Sequence, residues 1–453
     1  MNLIKPFSLI YRYFVQSCVA VTLLLAGCTC EKEADISTTQ RKARESTPWL
    51  TTAFIARIEL ALPSDGKTFE RVEKRIADLQ RTGFRTIWLS AVTPMSSIYP
   101  DHQHTDPVPA QDFLSVETDF GTAEDFRRLV QTIHTAGMNI LIDFVPKYTA
   151  WDSKLVMEHP DWFHTNEEGA IVAPNNEWDD VADLNYDHHE LRKYMIDALK
   201  FWVQEQEIDG FAFQKADLIP LEFWVRARKE VESIKPVVFL AQSNVSEHLL
   251  EAFDASYTNE SGIAGLAREG IPTELFTSIE NEQHTYPQGF SRLRFTAVSQ
   301  DFPQLDLELD QFEKNHTVLA YTIPGIPVHV FDSKWLYASS SSSNLTLKLA
   351  EQLITLRKTY PTLATGELTE RKLAENATSI AFERKSETER LMVLLNFSKD
   401  PQHILLQVSE NFQGGFKDYL ATTTLTPKSG SLGFSVPPYY AKILIRTSEE
   451  QKE

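Results

Sequence analysis

At 453 residues the chain is long enough for two or three domains of about 150 residues each, or for one large barrel with a small companion. Its 42% hydrophobic and 24% charged residues are ordinary for a soluble globular protein. The net charge of −19 repels phosphate backbones, which sets nucleic acid aside as a partner and leaves uncharged or cationic ligands.

The first thirty residues stand apart. Lys5 and Arg12 give a positive start, and Tyr13 to Leu25 is mostly apolar. That run has the length of a signal-peptide core and is shorter than a spanning helix of about 20 residues. It leads into Leu25-Ala26-Gly27-Cys28, which resembles a bacterial lipoprotein signal. The resemblance implies a signal peptide over 1–27, lipidation of Cys28 and export to a membrane surface, with Thr29 favouring an outer membrane. The alternative is an uncleaved anchor helix with an incidental cysteine. Only Cys18, Cys28 and Cys30 exist, so the folded body has neither a disulfide framework nor a cysteine metal site. Residues 28–48 read as a flexible tether.

From about residue 50 a short apolar run followed by an amphipathic helix repeats. Strands are expected at Phe54–Leu60, Thr86–Val92, Asn139–Val145, Ile208–Phe213, Val237–Ala241, Ala255–Thr258, Arg294–Val298 and Pro327–Phe331. The helix Phe69–Thr82 places Val72, Ile76 and Leu79 on one face and stops at Gly83; Phe126, Leu129, Val130 and Ile133 line another. Residues 146–188, rich in Trp, Asn, Asp and Pro, break the rhythm and read as a long functional insertion. Eight strands with intervening helices predict a (β/α)₈ TIM barrel over 49–365, although the order alone also suits an open doubly wound sheet. After Gly366 helices cease, and residues 366–447 read as a small antiparallel, sandwich-like β domain that caps the barrel or binds a ligand.

Reactive groups of such barrels sit at the C-terminal strand ends. The third end reads Asp143-Phe144-Val145-Pro146-Lys147-Tyr148, the fourth Gly210-Phe211-Ala212-Phe213-Gln214, the fifth Phe239-Leu240-Ala241-Gln242 and the seventh Ser299-Gln300-Asp301. In their order along the chain these stretches resemble the four short motifs of the α-amylase family of glycoside hydrolases. Asp119-Phe120-Gly121-Thr122, Asp180-Val181-Ala182-Asp183-Leu184-Asn185-Tyr186 and Tyr321-Thr322-Ile323-Pro324-Gly325-Ile326-Pro327 extend the likeness over roughly residues 50–447.

The resemblance implies an oligosaccharide cleft, and it locates the departures. The family's fourth-strand motif carries an Arg and a nucleophilic Asp; here Ala212 and Gln214 stand there. The fifth strand ends in a proton-donating Glu; here it is Gln242. Asn-His of the third motif is replaced by Lys147-Tyr148, the His of the seventh by Gln300, and the Gly-Gln-Glu after the eighth strand by Asp332-Ser333-Lys334. Asp143 and Asp301 remain. A retaining glycosidase needs two carboxyl groups about 5–5.5 Å apart, and an amide supplies neither a good nucleophile nor a proton. No catalytic pair is therefore intact at Gln214, Gln242 and Asp301, while Asp143, Tyr148 and Trp151 are candidate sugar contacts.

Other readings stay open. Asp217, Glu222 and Glu247 lie near the relevant ends and are the candidates for a relocated active pair. Tyr148, Trp151, Trp162 and Trp178 either stack on sugar rings or pack the insertion onto the barrel. The family often binds Ca²⁺ through the Asn replaced by Lys147, so a cation there argues against a metal; Lys147 pairs with Asp143 or faces solvent. His102 and His104 form either a metal pair or an exposed loop. No cofactor is expected. The functional expectation is a lipid-anchored, catalytically silent α-amylase relative that binds α-glucan or an envelope protein. An active glycosidase or transglycosidase, and an interaction protein without a sugar site, are the alternatives.

Overall fold

The computed structural model describes residues 37–448 apart from 61–64, 91, 97, 99–107, 176–177, 259–272, 297–308, 339, 372–378 and 408–413. Cys28, His102, His104, Ser299, Gln300 and Asp301 lie outside the described residues.

Eight parallel strands form one sheet: β1 (Ile55–Ile58), β2 (Thr86–Leu89), β3 (Asn139–Phe144), β6 (Gly210–Phe213), β7 (Val238–Gln242), β8 (Ala255–Tyr257), β9 (Leu293–Phe295) and β10 (Ile326–Phe331). Their spatial order is β8-β7-β6-β3-β2-β1-β10-β9. A parallel bridge between Ser256 and Arg292, with Ser256 N–H donating to Ser291 O at 3.1 Å, joins the two outer strands into a barrel. β4 (Tyr148–Ala150) and β5 (Val181–Asp183) form an antiparallel hairpin inside the 146–188 insertion, an element the sequence had not marked.

Alternation along each strand divides the core. Ile55, Trp88, Leu141, Ala212, Val238, Leu240, Ala255, Tyr257, Leu293 and Val328 fill the barrel interior. The opposite faces meet the surrounding helices in the larger core, where Val72, Ile76 and Leu79 of Thr68–Thr82 and the buried face of Ala123–Thr135 lie as their spacing predicted. Thr122 and Asp125 form a reciprocal capping box at the latter helix. Gly210 has to be glycine, because a Cβ there would sit 2.2 Å from Val238 O.

Residues 37–48, within the segment expected to be a tether, lie along the barrel. Ala43 N–H donates to Gln288 O and Arg44 N–H to Leu249 O, each at 2.8 Å, and Arg44 pairs with Glu232 at 2.5 Å.

The C-terminal domain has a six-stranded antiparallel sheet, ordered β11 (Glu367–Glu370), β12 (Ser379–Lys385), β13 (Arg390–Asn396), β18 (Ala441–Ser448), β15 (Gly414–Asp418) and β16 (Thr424–Leu425). A second ladder pairs β14 (Gln402–Gln407) with β17 (Ser431–Val436). Ala381, Met392, Leu394, Ile404, Leu406 and Leu444 pack together in a core of their own. The other face, with Phe382, Val393, Leu395 and Ile443, joins the barrel's core. Arg384 of β12 reaches into the barrel and donates to Thr322 O at 2.7 Å and Leu363 O at 2.8 Å.

Candidate active site

The C-terminal ends of the strands bring Arg57, Trp88, Asp143, Gln214, Gln242, Tyr257 and Phe295 to the barrel mouth. Asp143 is buried at 4% exposure. Its Oδ1 accepts Trp88 Nε1–H at 2.7 Å, its Oδ2 lies 3.5 Å from Arg57 Nη2, and the Gln214 side chain hydrogen-bonds to it. Burial pushes its carboxyl above the ordinary range, against the opposing pull of Arg57, Trp88 and Gln214. Arg57 also reaches Glu59 at 3.1 Å and lies over the Trp88 ring, 5.2 Å from its centroid. Trp88 in turn packs edge-on against Tyr257 and Phe295, each at 5.6 Å. These rings close the barrel beneath the mouth.

The two expected amides are both engaged. Gln214 is bound to Asp143. Gln242, 8% exposed, accepts Lys215 N–H on Oε1 at 2.9 Å. Lys215 has φ +54°, an uncommon conformation for a residue with a Cβ, and its Nζ lies 4.6 Å from the Trp178 ring centroid. Trp178 packs on Tyr148 at 5.9 Å. The mouth is thus tied to the insertion through Gln242, Lys215, Trp178 and Tyr148. Ala212 faces the barrel interior without any exposed surface, so no guanidinium rises from the fourth barrel strand. The cation on Asp143 comes from β1 instead.

Tyr148 as a sugar contact and both placements considered for Lys147 are corrected, while Trp162 follows the packing alternative. Tyr148 is wholly buried with Val145 and Val181, so its ring offers no face to a ligand and serves the packing alternative. Trp162 likewise packs inward, stacked on His159 at 3.9 Å. Trp151 is half-buried and donates Nε1–H to Asp179 O at 2.8 Å. Lys147 neither pairs with Asp143 nor faces solvent: its Nζ sits 2.5 Å from Asp183 Oδ1 and 3.3 Å from Leu184 O. Asp183 is 36 residues further on, across the β4–β5 hairpin, where sequence adjacency gave no hint. An ammonium held by a carboxylate and a carbonyl already fills the role of a cation there. These residues do not fit the Ca²⁺ that the family resemblance implies. Among the described residues no group of three or more His, Cys, Asp or Glu is placed to hold a metal.

The acids considered for a relocated pair are dispersed in function. Asp217 is exposed in the turn Ala216–Leu218, Glu222 is exposed in the first turn of Leu221–Glu232, and Glu247 is exposed and accepts from Thr38 Oγ1 at 3.4 Å. Asp332 caps the helix Ser333–Tyr337 by accepting Trp335 N–H at 3.1 Å, which gives the Asp332-Ser333-Lys334 stretch a local role. Arg57 and Glu59 were missed by the sequence reading. The available signal was two charges at alternate places in the otherwise apolar run Phe54–Leu60.

Comparison with known proteins agrees with this architecture. Residues 68–236 match the family described as alpha amylase, catalytic domain. A maltogenic alpha-amylase of Bacillus acidopullulyticus is 24% identical over 380 residues, covering 74% of this chain and 63% of that protein, so the chain spans less than two thirds of that relative. The crystal structure of a noncanonic maltogenic alpha-amylase from Thermotoga neapolitana superposes with TM-score 0.74 at 22% identity, over 88% of this chain and 100% of that one. An alpha-amylase of Geobacillus thermoleovorans in complex with acarbose gives TM-score 0.71 at 17% identity, over 90% of this chain and 100% of the other. The segment that matches the alpha amylase catalytic domain thus runs from the first barrel helix to the end of the helix before β7, within a chain whose fold is similar to that of these alpha-amylases.

Proposed function

We propose that this protein binds α-glucan or maltooligosaccharide at its barrel mouth and does not hydrolyse it at enzymatic rates. The reading rests on one observation: where the motif match calls for a nucleophilic carboxylate and a protonated carboxyl, the chain has Gln214 on Asp143 and Gln242 on the Lys215 amide. A neutral amide does not stabilise a developing oxocarbenium ion, and general acid–base help alone contributes about 10²–10⁴-fold. An amide still accepts and donates hydrogen bonds to sugar hydroxyls. The acarbose complex of the Geobacillus thermoleovorans relative supports a sugar-sized cleft on this fold.

The same proposal places the protein at a cell envelope, anchored through lipidated Cys28, where a captured oligosaccharide or a protein partner is presented near the membrane. The order of Lys5, Arg12, the apolar run to Leu25, and Cys28 supports that placement.

The test pairs two measurements on the purified chain: calorimetric binding of maltooligosaccharides and release of reducing sugar. Saturable binding with turnover far below the ordinary ~1–10³ s⁻¹ is expected. Turnover within that range supports the active alternative and overturns the proposal. Absence of both binding and turnover across several α-glucans supports a purely interacting protein.

A further inference from the structure

Where β9 and β10 begin, at the end of the barrel away from the mouth, lies a pocket of about 290 Å³. Its wall includes Arg292, Arg294, Arg357 and Glu282, with Gln283 and Thr365 also lining it. The arginines are 4%, 4% and 7% exposed, and Glu282 is 7% exposed.

The charges do not balance. Glu282 Oε1 accepts from Arg292 Nε at 3.2 Å and from Arg294 Nη1 at 3.0 Å, and its Oε2 accepts from Arg294 Nη2 at 2.5 Å. Both carboxylate oxygens are therefore occupied by two arginines. Arg357 has carbonyl partners instead: Tyr321 O at 2.8 Å, Ile323 O at 3.3 Å, and Gly325 O. Carbonyls satisfy its N–H groups but do not cancel its charge. Among the described residues that line the pocket, three cations against one anion leave two charges over.

Burial of unbalanced charge is costly. Consistent with this, burial and the neighbouring Arg294 lower the proton affinity of Arg357, to about 10. Burial, with Arg357 and Arg294, lowers that of nearby Arg384 to about 9. Planar guanidinium groups suit tetrahedral oxyanions better than they suit chloride.

We propose that this pocket binds a compact oxyanion of the phosphate class, held by Arg292, Arg294 and Arg357. Its distance from the strand ends that form the mouth assigns it to stability or regulation, not to sugar chemistry. The same phosphate chemistry arrives either as the free inorganic ion or as a sugar phosphate monoester, and the test separates them.

The full chain is unfolded thermally at constant ionic strength with sodium phosphate, glucose 6-phosphate or sodium chloride. A saturable rise in Tm with inorganic phosphate, beyond that of matched chloride, is expected; the same rise with glucose 6-phosphate shows that the ester is also admitted. Gln283→Glu adds a competing carboxylate to the pocket wall at an exposed position without removing any arginine contact. It is expected to weaken the phosphate effect by roughly tenfold or more. Thr365→Glu, also exposed, repeats the test should Gln283→Glu fold poorly. If neither phosphate compound shifts Tm beyond chloride, or if both variants respond as the parent does, the proposal is overturned.

Discussion

The Gln242 side-chain oxygen accepts the Lys215 amide at 2.9 Å, so the residue standing at the expected proton-donor position fastens β7 to the turn after β6. Restoring chemistry therefore means more than exchanging an amide for an acid. The triple variant Ala212→Arg, Gln214→Asp, Gln242→Glu is expected to remain below about 1 s⁻¹ on maltooligosaccharides. Its arginine would enter a barrel interior where Ala212 has no exposed surface, and overpacking there costs about 1–3 kcal/mol. Reducing-sugar release checks the rate, and urea unfolding checks the strain.

Asp143 offers a test by pH. Burial, the largest influence, raises its folded proton affinity above that of an ordinary aspartate, while Arg57, Trp88 and Gln214 work in the opposite direction. A raised folded value means that stability is fully present below the unfolded value and lost as pH rises through the folded one. Asp143→Asn removes this titration. Urea unfolding of both proteins between about pH 4 and pH 8 should show the variant gaining relative to the parent as pH rises. A difference that stays flat over the range counts against an elevated Asp143.

Arg57 is the guanidinium partner of that acid. Arg57→Met leaves Asp143 buried without its cation and is expected to cost about 3–5 kcal/mol near neutral pH. Adding Asp143→Asn should recover much of the loss, because it removes the uncompensated charge. A double-mutant cycle by chemical denaturation measures the coupling; strict additivity would show that the pair does not interact.

Lys147 makes a prediction about metal. With its ammonium on Asp183 and Leu184 O, the parent Tm should be indifferent to Ca²⁺ and to EDTA. Lys147→Met removes the cation and is expected to cost about 3 kcal/mol, the lower end for breaking a buried pair. A parent Tm that falls on chelation would contradict this account.

Gly210→Ala tests the close strand approach. The added Cβ would meet Val238 O at 2.2 Å, with Leu141 at 2.9 Å on the other side. Backbone on neighbouring strands yields little, so loss of soluble expression or destabilisation beyond about 4 kcal/mol is expected. Expression yield and a melting curve decide it.

Much of this architecture was legible because barrel strands buried on both faces read as apolar runs, and each of the eight expected runs carries a strand. Helix faces such as Val72, Ile76 and Leu79 followed from spacing. The departures at Gln214 and Gln242 were legible because the motifs fix their place. What escaped were partners set by tertiary contact. Arg57 meets Asp143 across β2, Lys147 meets Asp183 across an insertion without a regular period, and the polar residues 41–46 find carbonyls on the barrel. Tyr148 stood next to Lys147 in a motif, and only the hairpin folding over it showed its ring to be covered. Polar residues carry no periodic signal for the groups they will meet, so their roles emerge after the core has set the geometry.

Arg384 belongs to the C-terminal domain by sequence, yet it donates to Thr322 and Leu363 carbonyls of the barrel and lies wholly buried. Removing the last domain would take that donor away from both carbonyls. A chain cut before β12 would lose that donor together with the Phe382, Val393, Leu395 and Ile443 face that packs into the barrel's core. The boundary near residue 366 is a change of texture, not a seam along which the protein comes apart, and expression trials and gene fusions should treat barrel and β domain as one heritable piece.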